Sequence, residues 1–158
     1  MSSKLLLPNY CKKIGWIFLI PAAVAGIILS FNGFESEWIS MPVFAIYNSE
    51  IFGKGQWFQE FTTNATNTIV GSLFIIGGLL VSFSKEKTED EFIGRLRLSS
   101  LLWAVWVNYI LLLIAMLFVY GSAFLTVMVY NMFTVFIIFI TRFQYLLYKN
   151  SKYPSDEK

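Results

Sequence analysis

Three consecutive acids, Glu89, Asp90 and Glu91, are the densest group of chemistry-bearing side chains in this sequence. Paired carboxylates can divide acid and base roles, but only when two of them converge on one point. Neighbouring positions on a helix lie about 100° apart, so these three point in different directions and make a poor catalytic pair. Their setting favours a structural use. Thr88-Glu89-Asp90-Glu91 has the S/T-x-x-E form of a capping box. Acids in a first turn complement the helix dipole. Glu91 stands four residues before Arg95, the favourable order for an ion pair. Phe92, Leu96, Ser99 and Trp103 then follow one helical stripe. This pattern predicts a helix that starts near position 88. Glu89, Asp90, Glu91 and Arg95 are either its solvated start or a docking surface for a partner protein.

Other chemistry is scarce. The chain contains no histidine. That argues against bis-histidine haem, most zinc enzymes and histidine general bases. The single cysteine, Cys11, rules out an intramolecular disulfide and a CxxC redox pair. It is either an inert thiol at a membrane edge or an acylation site. No Ser/His/Asp set, phosphate-binding glycine loop or metal-ligand cluster is legible. The sequence therefore predicts neither an enzyme nor a bound cofactor.

The elements that must position these residues follow from composition. Hydrophobic residues make up 56 % of the chain and charged residues only 14 %, with a mean hydropathy of +0.62. A soluble domain carries roughly a quarter charged residues. The deficit sits in long uncharged runs, the mark of an integral membrane protein. A net charge of +2 is too small to indicate direct nucleic-acid binding.

Residues 14–31 read "IGWIFLIPAAVAGIILSF", close to the length of one bilayer crossing. "AVA" before Gly26 imitates a signal-peptide cleavage site, but the apolar run continues through "GIILSF", which favours an uncleaved anchor. A second, glycine-rich span covers about 67–84. From Leu98 to Thr141 no residue is charged. As one helix this run would reach roughly 66 Å at about 1.5 Å per residue, about twice a bilayer core. It must fold back, and "YGSA" (Tyr120 to Ala123) is the expected reversal. That gives spans near 98–120 and 123–147. The expected fold is an all-α, four-helix transmembrane bundle formed by residues 1–158 as a single domain.

Of the 12 Lys and Arg residues, only Lys54 falls in the segment between the first two spans. By the positive-inside rule both termini should be cytoplasmic. The segment from Asn32 to Thr62 is then an outer loop, rich in Phe34, Trp38, Phe44, Tyr47, Phe52, Trp57, Phe58 and Phe61. Gly53-Lys54-Gly55 reads as a tight turn within it. A loop this apolar should not stand free in water. It either lies on the outer membrane surface or caps the bundle, or forms a lid or sensor face for a lipophilic or protein ligand.

Two sets of residues within the spans stand out. Ala22, Gly26 and Ser30 recur every four residues on one face of the first span, and Gly71, Gly77 and Gly78 lie in the second. Such faces allow close helix packing, within the bundle or across a homo-oligomer seam. Pro21 should kink the first span unless a neighbour satisfies the freed carbonyl. Asn108 and Tyr109 in the third span face the levels of Asn131 and Thr134 in the fourth. An Asn/Tyr/Thr cluster there would supply interhelical hydrogen bonds or a polar ligand pocket.

"SKEKTEDEFIGRLRLSSLLWAVWVNYILL" and "VMVYNMFTVFIIFITRFQYLLYKN" resemble an uncharacterised family of small four-span membrane proteins of Gram-negative bacteria. The likeness is best from Ser84 to Asn150. It implies a multi-pass protein of the bacterial inner membrane. Genes of that family often neighbour one for a small helix-turn-helix regulator, which implies a regulatory partner. It implies no activity and no site residues. Relatives often carry an acid where this chain has Ser99, so a role built on that acid could not transfer.

The expectation is a non-enzymatic membrane sensor or regulatory subunit. It would contact membrane lipid and a protein at its cytoplasmic face, with no direct contact to nucleic acid. The alternative is a small oligomeric channel or carrier built on the small-residue faces and the Asn108/Asn131 level.

Overall fold

The structure is a computed structural model that describes residues 6–32, 38–48 and 56–152. Helix α1 spans Asn9–Phe31, strands β1 and β2 span Ser40–Asn48 and Gln56–Asn64, and helices α2, α3 and α4 span Thr66–Phe83, Glu91–Phe118 and Ser122–Lys152. Among the described residues, four helices are long and apolar enough to cross a membrane. Large apolar side chains such as Trp106, Tyr109 and Phe118 stand exposed along them. Lipid is the medium in which such surfaces are stable. The chain is a multi-pass membrane protein.

The chain divides into two compact units, Met1–Leu19 with Ile75–Lys158, and Ile20–Phe74. The smaller one corrects the all-α expectation. Its β1 and β2 form an antiparallel pair, with Ser40 opposite Asn64 and Asn48 opposite Gln56. The aromatic and β-branched residues taken for a membrane-surface loop are also the residues that suit a pleated strand. Pro42 lacks an N–H and would interrupt a central strand, but a two-stranded pair has no centre. The expected turn at Gly53-Lys54-Gly55 lies outside the described residues. Phe58 has φ 54°, in the left-handed region that non-glycine residues rarely adopt. The buried Thr66 joins hairpin and helix: its Oγ1 accepts from the backbone N–H groups of Trp38 (3.1 Å) and Ile39 (3.0 Å). Ala65 N–H donates to the Ile39 carbonyl at 2.9 Å.

In the larger unit α3 and α4 pack antiparallel, reversing at Gly121, whose φ is +71°. Glycine adopts that conformation without the steric cost a side chain would add. The face that α3 buries is Arg97, Ser100, Ala104 and Asn108. The Phe92, Ser99 and Trp103 members of the apolar stripe are exposed instead. Between helices in lipid, small and polar residues favour close packing, while large apolar side chains are equally at ease against acyl chains. Opposite this face α4 contributes Phe139, Ile140 and Phe143, all buried, with the Phe139 and Phe143 rings stacked at 5.9 Å.

The first turns of α1 cross the end of α2 at two glycines. A Cβ on Gly77 would lie 2.7 Å from the Leu19 backbone nitrogen, and one on Gly15 would lie 2.8 Å from the Leu80 Cβ. Gly78 fits against the Phe136 ring of α4, where a Cβ would meet the ring at 3.2 Å. Helix α1 continues through Pro21.

Candidate functional site

The polar groups of the larger unit converge where α1 starts, α2 ends, α3 starts and α4 ends. Arg97 is the centre. It lies on the buried face of α3, with only 9 % of its side chain exposed. Its Nη1 and Nη2 donate to the two carboxylate oxygens of Glu89 at 2.9 and 3.1 Å. Nη2 also donates to the Ser84 carbonyl at 3.1 Å. The guanidinium carbon sits 5.2 Å from the centre of the Phe143 ring, within cation–π range. A planar, five-donor head suits this fork-shaped set of acceptors in a way a lysine would not.

The α2–α3 connection wraps around that head. Glu89 Oε2 accepts from the Glu86 N–H at 2.8 Å, closing the connection on itself. Lys12 of α1 reaches Glu86 Oε1 at 2.5 Å, with both side chains mostly buried. Asn9 Nδ2 donates to the Lys85 carbonyl at 2.7 Å. Leu7 N–H donates to the Phe83 carbonyl and Lys85 N–H to the Leu7 carbonyl, both at 2.9 Å. Ser84 Oγ bonds back to the Leu80 carbonyl. The result is a network of ion pairs and hydrogen bonds that fastens the first turn of α1 and the end of α2 to the start of α3.

This geometry corrects the reading of the charged stretch in two ways. Helix α3 starts at Glu91, and its cap is Asp90, whose Oδ1 accepts from the Ile93 N–H at 2.8 Å. Thr88 is not the cap, because the chain from Ser84 to Glu89 is drawn inward around Arg97 instead of continuing the helix. Second, the Glu89 carboxylate is turned inward onto Arg97, while Asp90 caps α3 from an exposed position. Glu91 and Arg95 also stand out, as an exposed i,i+4 pair at 3.0 Å.

Asn108 and Asn131 meet. Each amide donates to the other, at 3.1 and 3.2 Å. Tyr109 and Thr134 do not join them: Tyr109 is exposed, and Thr134 Oγ1 bonds back to the Tyr130 carbonyl at 2.9 Å. Of the small residues, Ala22, Gly77 and Gly78 are buried, while Gly26, Gly71 and Ser30 are half-buried. A Cβ on Gly26 would meet nothing within 4 Å.

Sequence reasoning counted Arg97 and Lys12 only among the cations that set topology and gave Ser84 and Glu86 no role. A signal was present. Arg97, Ser100, Ala104 and Asn108 form a helical stripe of small and polar residues, and in a membrane helix that stripe marks the packed face.

Comparison of the chain with models of known protein families, with curated proteins and with solved structures finds no match.

Proposed function

We propose that this protein is a non-enzymatic sensor or regulatory subunit of a bacterial inner membrane, acting on a protein partner at its cytoplasmic face. The carrying observation is the start of α3. There the carboxylates of Glu86 and Glu89 hold the fold together, while Asp90, Glu91, Phe92 and Arg95 remain outward. This removes Glu89 from the candidate docking patch and adds Phe92 as its apolar centre.

The distribution of Lys and Arg supports cytoplasmic termini, so the same patch would face the cytoplasm. By the same rule the segment from Asn32 to Thr62 faces the outer side. Its exposed Trp38, Phe44, Trp57 and Phe58 suit the membrane interface, where aromatic residues sit at headgroup level. That is a place from which the state of the bilayer can be sampled. The resemblance of residues 84–150 to a family encoded beside small regulators agrees with a regulatory partner. In the alternative, a channel or carrier, Asn108 and Asn131 would face a pore; here their amides face one another.

Photocrosslinkers placed at positions 91, 92 and 95 in cells test the reading. The expected result is an adduct with a specific second protein, lost when Phe92→Ala is introduced beside the probe at position 95. Adducts with lipid and with the chain itself alone would overturn it. Cysteine accessibility at positions 57 and 91 checks the topology, and labelling of both from the same side would contradict it.

A further inference from the structure

A second feature of the larger unit shares only Asp90 and Phe92 with that patch. A cleft of about 650 Å³ lies between the first turns of α1, the α2–α3 connection and the last turns of α4. Three lysines line it: Lys12, Lys13 and Lys87. Of its acids, Glu86 pairs with Lys12, while Asp90 accepts from the Ile93 N–H and keeps its charge, so the three lysines still exceed the two acids. Among the described residues, Lys13 and Lys87 have no carboxylate partner. Gln144 also lines the cleft, and its amide nitrogen is buried without an acceptor. A buried donor left unpaired costs free energy that an incoming acceptor would recover. Trp16 and Tyr148 are among the other lining residues.

We propose that this cleft binds the phosphate-bearing headgroup of an anionic phospholipid. The argument is charge complementarity joined to position. Two unpaired cations and an orphaned N–H donor match a phosphate diester, which offers acceptors only. The cleft sits at the ends of membrane-crossing helices, and Trp and Tyr at such ends mark the headgroup level. Basic clefts between membrane helices hold anionic headgroups by this chemistry. The site rests on the membrane placement of the helices and not on what docks at α3. An absence of crosslinked partners would therefore leave it standing.

The test is native mass spectrometry of the full-length protein, released from detergent with equal amounts of phosphatidylglycerol and phosphatidylcholine. Wild type should retain phosphatidylglycerol preferentially. Lys13→Gln and Lys87→Gln should each lower that preference roughly fivefold, in line with the attraction of one lysine near an anionic surface. Lys13→Arg/Lys87→Arg should keep it, and Lys149→Gln, outside the cleft, should not change it. Gln144→Leu should weaken retention without lowering the unfolding temperature, because its amide nitrogen has no partner to lose. Equal retention of the two lipids, or undiminished retention by the Lys13→Gln/Lys87→Gln protein, would overturn the proposal. Inorganic phosphate provides the other arm. If it raises the unfolding temperature as much as phosphatidylglycerol does, a soluble phosphate and not a lipid is the occupant, and the lipid assignment fails.

Discussion

Arg97 grips Glu89 from eight residues further along the chain, with two guanidinium nitrogens on two carboxylate oxygens at 2.9 and 3.1 Å. Both side chains are at least 85 % buried. Removing one partner of such a pair leaves a charge without compensation, at a cost of about 3–5 kcal/mol, whereas removing both is far milder. Arg97→Met and Glu89→Gln should each lower the unfolding temperature of the detergent-solubilised protein sharply. The double variant should lose much less than the two losses added together. Additive losses in that double-mutant cycle would show that the pair is not coupled.

Asn108 and Asn131 form a closed amide pair between α3 and α4. Interhelical hydrogen bonds in membranes are worth about 0.6 kcal/mol on average and about 1.7 at most. Asn108→Leu alone strands a polar amide in hydrocarbon and should destabilise the hairpin by about 1 kcal/mol. Asn108→Leu/Asn131→Leu should recover most of that loss in steric-trap or denaturant unfolding. A double variant worse than either single one would point to further partners.

Two glycines of similar appearance in the sequence should respond in opposite ways. Gly77→Ala places a methyl group 2.7 Å from the Leu19 backbone nitrogen, so α1 and α2 must separate. Backbone cannot swing aside as a side chain can, and overpacking costs about 1–3 kcal/mol. Gly26→Ala meets nothing within 4 Å and gains up to about 1 kcal/mol of helix propensity. Unfolding temperatures of the two variants should fall on either side of wild type.

Thr66 Oγ1 accepts two backbone N–H groups at the entry to the hairpin, from Trp38 and Ile39. Thr66→Val keeps the shape but removes the acceptor, at a cost of about 1–3 kcal/mol for the donors left unpaired. Hydrogen exchange should accelerate at the amides of Trp38 and Ile39, while exchange in α3 and α4 stays unchanged. Thr66→Ser should retain protection.

The comparison of sequence and structure separates by the range of the forces involved. Crossing length and charge depletion are local properties of the chain, so the four membrane-length helices, the reversal at Gly121 and the Glu91–Arg95 spacing were legible residue by residue. The hairpin was missed because aromatic residues suit a strand as well as a membrane surface, and only the pairing of residues 40–48 with 56–64 distinguishes them. The cap of α3 was misplaced for a similar reason. Thr88 and Asp90 are both good caps taken locally, and the choice falls to Arg97, which draws Glu89 out of any helical start.

The sequence by itself determined that this chain enters a membrane several times, because apolar length needs no partner to be read. It did not determine which face of each helix is packed. In water the hydrophobic effect would make the apolar stripe the inner one; in lipid that driving force is absent between helices. Close approach and hydrogen bonding then decide, and both depend on what stands opposite. Only the tertiary structure could therefore turn Arg97, written among the solvent-facing charges of "SKEKTEDEFIGRLR", into the buried tie between the helix ends.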